Sequence, residues 1–227
     1  MKLKSRSQQS GFTLVEIAIV LVIIGLLLGG ILKGQELINS AKVKNLANDF
    51  RVIPTYIYAY QDKFKALPGD DPAAATHVTG AANATTPAGT QGNGVINGNW
   101  NSTTNTDESF LFWQHVRLSN LAAGPTDVAD PTYIPTNAVG GKLGISSAAT
   151  GQVQITTPTA MTGTYQVCSS GILGKFAKQL DIQMDDGNTQ TGSMRTTADI
   201  PNGSPGTAAL TTATVDDATS YTVCMTF

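Results

Sequence analysis

The sequence predicts an α+β protein in which a long N-terminal α-helix packs on an antiparallel β-sheet head. Three observations support this prediction. Residues 12–32 form an almost unbroken apolar run, residues 33–65 carry an apolar stripe at helical spacing, and residues 66–227 contain short β-rich segments separated by turns. The helix is therefore expected to have an apolar half and an amphipathic half.

Charge is distributed unevenly along the 227-residue chain, which carries a net charge of −2 and only 13% charged residues. Residues 1–11 carry +3, residues 33–65 carry +3 and residues 66–227 carry −7. A hydrophobic content of 41% excludes both a disordered chain and a multi-span membrane protein. The chain has no overall basic field, so the sequence gives no evidence of a direct nucleic-acid site.

The apolar segment Phe12–Leu32 has 21 residues, and about 20 helical residues cross the hydrocarbon core of a bilayer. The simplest interpretation is a single membrane anchor, with Lys2, Lys4 and Arg6 held in the cytoplasm by the positive-inside rule. A cleaved secretory signal fits less well because no small-residue cleavage motif follows the apolar run.

Glu16 is the one charged residue inside this apolar segment. A carboxylate in a membrane-spanning helix is costly and usually has a partner. Because Glu16 lies only one turn from the start of the segment, snorkelling of its side chain to the interface is the alternative explanation.

The string Gly11-Phe12-Thr13-Leu14-Val15-Glu16, after a basic leader and before an apolar helix, resembles the processing site of type IV prepilins and type II secretion pseudopilins. The resemblance covers residues 1 to about 45. It implies that a prepilin peptidase cleaves between Gly11 and Phe12, removes the leader 1–11 and leaves an N-methylated amine on Phe12.

The resemblance also implies an assembly role for Glu16, whose carboxylate can satisfy the new Phe12 ammonium in its own first turn or in a neighbouring subunit. Gly25, Gly29 and Gly30 leave part of the helix without side chains. Close helix packing and local loosening of the helix during assembly are both open explanations for these glycines.

The segment 33–65 is predicted to continue the helix as an amphipathic half. Its apolar stripe is expected to pack on the head of the same chain, since three heptads are short for a coiled coil. Pro54 lies within the pattern and is expected to kink the helix. The stripe consists of Val43, Leu46, Phe50, Ile53, Ile57, Tyr60 and Phe64.

The head, residues 66–227, begins where Leu67-Pro68-Gly69-Asp70 stops the helix. We expect a long surface loop with short elements up to about residue 107, followed by a short buried helix over Glu108–Leu121. Strands are expected at Gln152–Thr156, Gly163–Cys168, Leu180–Met184, Gly192–Thr197 and Tyr221–Phe227. The motifs at 67–70, 92–96 and 185–187 loosely resemble the heads of prepilin-type proteins.

Cys168 and Cys224 are the two cysteines of the chain, and both lie in the head. The orientation of the anchor places the head in an oxidising compartment, so we expect a disulfide between them. The pair also resembles the C-terminal disulfide loop of type IVa pilins.

No residues form a recognisable catalytic or cofactor site, and no cofactor is expected. His77 and His115 lack ligand-like spacing, so no metal ligands are assigned to them. The segment Asp181–Gly187 contains half of an EF-hand pattern; a hairpin turn is the favoured interpretation, and a calcium site of another kind is the alternative.

The predicted function is that of a structural subunit of a type IV pilus-like filament. Expected partners are further copies of the chain, the prepilin peptidase, the assembly machinery and the inner membrane, with the head in the periplasm before assembly. A type II secretion pseudopilin is the nearest alternative. A membrane-anchored periplasmic enzyme or binding protein fits less well, because it has no need of Glu16 beside Gly11 and Phe12.

Overall fold

The computed structural model describes residues 13–148, 154–199 and 206–227. These residues have the predicted α+β class, with a long N-terminal helix and a four-stranded antiparallel sheet. The elements in chain order are α1 Leu14–Phe64, α2 Ala74–His77, α3 Glu108–Leu118, β1 Leu143–Ser147, β2 Tyr165–Leu173, α4 Gly174–Met184, β3 Met194–Ala198 and β4 Ser220–Thr226.

Helix α1 is 51 residues long and continues through Pro54, which therefore does not end it. The described chain divides into two compact units between Ala41 and Lys42, so α1 contributes to both. In the second unit its buried side is the predicted stripe, with two adjustments: Ala47 joins it, and Phe64 is only half-buried. The buried residues are Val43, Leu46, Ala47, Phe50, Ile53, Ile57 and Tyr60.

The helix ends where predicted because the backbone turns sharply after Phe64. Lys65 has a positive φ of 57°, and Gly69 follows with a φ of 90°. A side chain at Gly69 would collide with the carbonyl oxygen of Glu108, so the sequence needs a glycine here. Residues 67–71, predicted only as the stop of the helix, are buried, and the four-residue helix α2 is a short element of the kind predicted for the loop that follows.

The sheet has the strand order β1-β2-β4-β3, with every neighbouring pair antiparallel. Three of the predicted strands correspond to β2, β3 and β4, with ends shifted by a few residues. Strand β1 was not predicted, because Leu143-Gly144-Ile145-Ser146-Ser147 has few β-favouring residues.

Two strand predictions were wrong. Leu180–Met184 belongs to α4, where Phe176, Ala177, Leu180 and Asp181 are buried at helical spacing. The five residues of the predicted strand are too few to show that helical spacing. Of the predicted strand Gln152–Thr156, residues 152 and 153 lie outside the described residues and residues 154–156 form no strand.

The core joins the stripe of α1 to α3 and to the sheet, as the sequence predicted. One hydrophobic cluster contains Phe50 and Ile53 of α1, Phe112 of α3, and Val167 and Val223 of the two central strands. The amphipathic half of the helix is therefore an integral part of the head.

Candidate processing and assembly site

The predicted processing residues Gly11 and Phe12 lie outside the described residues, so cleavage between them stays a prediction. The described chain starts at Thr13, and α1 begins one residue later at Leu14. Glu16 therefore occupies the first turn of α1, where a carboxylate is favoured by the partial positive charge of the helix N-terminus.

Thr13 and Glu16 bind each other in a capping box. The carboxylate Oε2 of Glu16 accepts hydrogen bonds from the backbone N–H and the hydroxyl of Thr13, both at 2.8 Å. The N–H of Glu16 donates in return to the hydroxyl oxygen of Thr13 at 3.3 Å. The sequence led only to an assembly role for Glu16. Its role in capping the helix was not predicted, although Thr-x-x-Glu is a recognisable signal for a capping box.

The apolar half of α1 is exposed along its whole length in the single chain. Its large side chains from Leu14 to Leu32 have between 45% and 91% of their surface accessible. Among the described residues, α1 is the one helix long and apolar enough to cross a membrane. Since exposing this much apolar surface to water is costly, the segment requires lipid or other protein around it.

The glycines of this segment have open space beside them. A Cβ added at Gly25, Gly29 or Gly30 would have no neighbouring atom within 4 Å. These positions would let another helix approach closely, which is the packing explanation left open by the sequence.

The disulfide between Cys168 and Cys224 is present in the structure. The two residues face each other in register on neighbouring antiparallel strands β2 and β4, with their Cα atoms 4.1 Å apart. Such closely spaced opposite positions bring the two Sγ atoms within bonding reach. Both cysteines are buried, and Trp100 belongs to the same small apolar cluster.

A buried polar network, which sequence analysis missed, fixes the end of α1 to the following loop. The carboxylate of Asp71 is fully buried and accepts hydrogen bonds from the hydroxyl of Tyr60 at 2.8 Å and the N–H of Ala73 at 2.9 Å. Nδ1 of His77 lies 2.7 Å from the same carboxylate, and the His77 ring stacks on Phe64 of α1. Asp71 thus connects α1 to α2.

His115 of α3 is held as a neutral side chain by two backbone groups. The N–H of Gly69 donates to Nδ1 at 2.9 Å, so Nε2 carries the proton and donates to the carbonyl of Ala82 at 2.8 Å. Burial lowers the pKa of His115, which agrees with the neutral form. This histidine therefore supports the loop rather than a chemical reaction.

Two further buried carboxylates explain the loop motifs that the sequence showed. Asp70 accepts hydrogen bonds from the N–H groups of Gly92 and Gly94 at 2.5 and 2.7 Å. Glu108 accepts from the N–H of Asn97 at 2.8 Å and the hydroxyl of Thr90 at 2.8 Å. Burial raises the pKa of both carboxyl groups, while these N–H and O–H donors favour the charged forms.

A cleft of about 600 Å³ lies beside this network and is lined by residues that include Lys65, Asp70, Asp71, His77 and Tyr165. His77 makes no hydrogen bond to a hydroxyl or thiol group within the described part of the chain. Of the residues that line the cleft, Asp70, Asp71 and His77 hold the end of α1, α2 and the loop together through the hydrogen bonds described above.

The turn after α4, where calcium was the alternative, has an unusual buried carboxylate. Asp181 is fully buried, and neither of its oxygens has a hydrogen-bond partner among the described residues. Asp185 instead accepts from the N–H of Met194, and Asp186 accepts from Asn188. The turn is not the favoured hairpin turn, because helix α4 and not a strand precedes it. Residues 13–148, 154–199 and 206–227 hold no group of three or more acidic, histidine or cysteine side chains suited to a metal ion, and calcium binding here stays an untested alternative.

Comparison with known proteins identifies the N-terminal segment. Residues 6–32 match the model of the prokaryotic N-terminal methylation motif. No curated protein and no solved structure matches the chain.

The matched motif is the prepilin-type cleavage and methylation motif of type IV pilins and pseudopilins, so the chain carries the N-terminus of a pilin-type or pseudopilin-type substrate. Together with the apolar helix it fits a membrane-anchored precursor.

Proposed function

We propose that this protein is the structural subunit of a type IV pilus-like filament. Its precursor lies in the inner membrane with the head in the periplasm, is cleaved after Gly11 by prepilin peptidase and is methylated at Phe12. The observation that carries the proposal is the methylation motif at residues 6–32, which leads directly into a helix whose apolar half is exposed.

The exposed apolar half has to be covered both before and after assembly. In the membrane, lipid covers Leu14–Leu32; in a filament, the same segments of neighbouring copies cover one another. Transfer from lipid to protein gains little hydrophobic free energy, so packing and polar pairing must select the register. Glu16, paired with the Phe12 ammonium of a neighbour, supplies such a polar contact.

The same motif also supports a pseudopilin of a type II secretion system. The two functions differ in where the filament ends, because a pilus reaches the cell surface and a pseudopilus stays in the periplasm. Electron microscopy of sheared surface material, with identification of its subunit by mass spectrometry, separates them. A membrane-anchored enzyme or binding protein would form no filament in either compartment.

Two substitutions of Glu16 test assembly and separate its charge from its capping role. Glu16→Ala removes both, whereas Glu16→Gln keeps an oxygen that can accept from Thr13 but removes the charge. Loss of one partner of a buried ion pair costs about 3–5 kcal/mol. We therefore expect both variants to be processed and inserted normally but to form few or no filaments, measured as subunit in the sheared fraction.

The matched control is Thr13→Ala, which removes the side-chain part of the cap and leaves the Glu16 charge. Filament yields near wild type from Glu16→Gln would show that capping, not charge pairing, explains this residue. Wild-type yield from Glu16→Ala, with correct processing, would contradict any assembly role for Glu16.

A further inference from the structure

The second half of α1 has an exposed face opposite its buried stripe. Lys44, Asn48, Arg51, Thr55 and Tyr58 repeat along it at spacings of four and three residues and are all exposed, and the next position of the series is Asp62, which pairs with Lys65. We call these five residues the basic face, because its two charged members are cations. It lies wholly within the compact unit that contains the head.

The charges of the basic face have no ion-pair partner in the part of the chain that the structure describes. Neither Lys44 nor Arg51 has an ion pair among the described residues. By contrast, Lys33 pairs with Glu36 and Lys65 pairs with Asp62. Tyr58 is 59% exposed and is one of only two large hydrophobic side chains exposed among the described residues of the unit Lys42–Phe227. An exposed tyrosine on the same helix face as an arginine is typical of protein interfaces.

The surface of the head has the opposite charge. Every exposed Asp, Glu, Lys or Arg side chain among the described residues from 66 onward is acidic, while the Lys and Arg residues there are buried or partly covered. Hydrogen bonds from Thr191 and Asn188 lower the pKa of Asp186, and those from Ala218 and Thr219 lower the pKa of Asp216, so both are ionised at neutral pH. The exposed acidic residues are Asp127, Asp186, Asp216 and Asp217.

We propose that the basic face of one copy docks on the acidic head surface of a second copy. This inference rests on the proposed function, because it describes contacts between subunits of the filament. The charges select the arrangement: two basic faces repel each other, as do two acidic head surfaces, whereas a basic face and an acidic head attract. A contact between two different surfaces is heterologous, and repetition of such a contact produces an open helical filament rather than a closed dimer.

Charge reversal and its compensation test this contact in cells that assemble the wild-type filament. The double variant Lys44→Glu/Arg51→Glu places like charges against the acidic head, so the sheared filament yield is expected to fall about tenfold or more. The head variants Asp127→Lys/Asp186→Lys and Asp216→Lys/Asp217→Lys are each combined with it. At least one combination is expected to restore filaments.

The matched control is Lys63→Glu/Lys65→Glu, which changes the net charge by the same amount at exposed positions outside the basic face. Its filament yield is expected to stay near wild type. A direct measurement accompanies the yields: a zero-length carbodiimide cross-linker applied to wild-type filaments should give a covalent dimer that joins Lys44 to a head aspartate.

The outcomes separate this inference from the proposed function. Absence of filaments in wild-type cells would remove the proposed function and this contact with it. Normal wild-type filaments with normal yield from Lys44→Glu/Arg51→Glu would overturn the contact alone. Loss of filaments that no head variant restores, with no Lys44 cross-link, would also overturn it and would favour an anionic lipid headgroup as the partner of the basic face.

Discussion

Asp181 is an acidic residue in an environment that disfavours its charged form. Its carboxylate is fully buried at the end of α4, and Asp186 and Asp185 lie nearby. Burial and these two neighbouring charges raise its pKa to about 7. The N–H groups of Gly187 and Asn188 favour the charged form, but their geometry falls short of hydrogen bonds.

This raised pKa makes stability depend on pH in a defined direction. The folded state holds the Asp181 proton up to about pH 7, whereas an ordinary aspartate releases it near pH 4. The stabilising contribution is therefore complete at acid pH and is lost as pH rises towards about 7. Above that pH the buried charge is a constant cost.

Asp181→Asn removes the charge while it keeps the shape of the side chain. At pH 8 with a chelator present, we expect the free energy of unfolding to increase by about 1–3 kcal/mol, because the substitution removes a buried charge that has no partner to offset its desolvation. The measurement is denaturant unfolding of the full-length protein in detergent at pH 5 and pH 8. The gain should shrink at pH 5, where the wild-type carboxyl is protonated.

Greater stability of the wild-type protein than of Asp181→Asn at pH 8 would contradict this account of Asp181. Added calcium provides a second arm. If calcium raises the melting temperature of the wild type but not of Asp181→Asn, the calcium alternative at this turn is supported.

At the residue scale, the sequence predicted the contacts that depend on rare residue types. Two cysteines allow one intramolecular pairing, and the structure contains it. The hydrogen bonds from Tyr60 to Asp71 and from Gly69 to His115 were not predictable, because the partners are 11 and 46 positions apart and each is an ordinary residue by itself. Only the folded loop shows that a carboxylate or an imidazole is needed there.

At the element scale, the disulfide connects the two central strands of the sheet and closes a loop with a sequence separation of 56. Cys168→Ala/Cys224→Ala should lower the free energy of unfolding by about 4 kcal/mol, according to the chain-entropy estimate for a loop of this length. Denaturant unfolding measures the loss, and wild-type protein under reducing conditions serves as the control because it breaks the same link without a substitution. Equal stability of oxidised and reduced wild type would contradict the proposed constraint.

Element prediction succeeded where the pattern was long and failed where it was short. Helix α1 was evident because its apolar run and its stripe extend over many turns, and the predicted end of the stripe agrees with the end of the helix. Helix α4 was taken for a strand because its apolar residues were examined over five positions, too few to distinguish a helical from an alternating period. Strand β1 is stabilised by its pairing with β2, which no local pattern reports.

At the scale of the whole molecule, three surfaces with different properties have three different requirements. The apolar half of α1 needs lipid or other protein around it, the basic face carries cations, and the exposed charges of the described head residues are acidic. In the proposed filament, contacts between neighbouring copies would cover all three surfaces. The uneven distribution of charge and hydrophobicity is visible in the sequence. The exposure of Lys44, Arg51 and Tyr58 is visible only in the folded chain.

If the chain is a processed pilin-type subunit, the assembled protein must carry the processed N-terminus, and this N-terminus can be measured. Subunits recovered from sheared filaments, or from isolated pseudopili, are digested and their N-terminal peptide is sequenced by mass spectrometry. We expect a peptide that begins at Phe12 with one methyl group on its amine. An assembled subunit whose N-terminal peptide begins at Met1, with the leader intact, would contradict it.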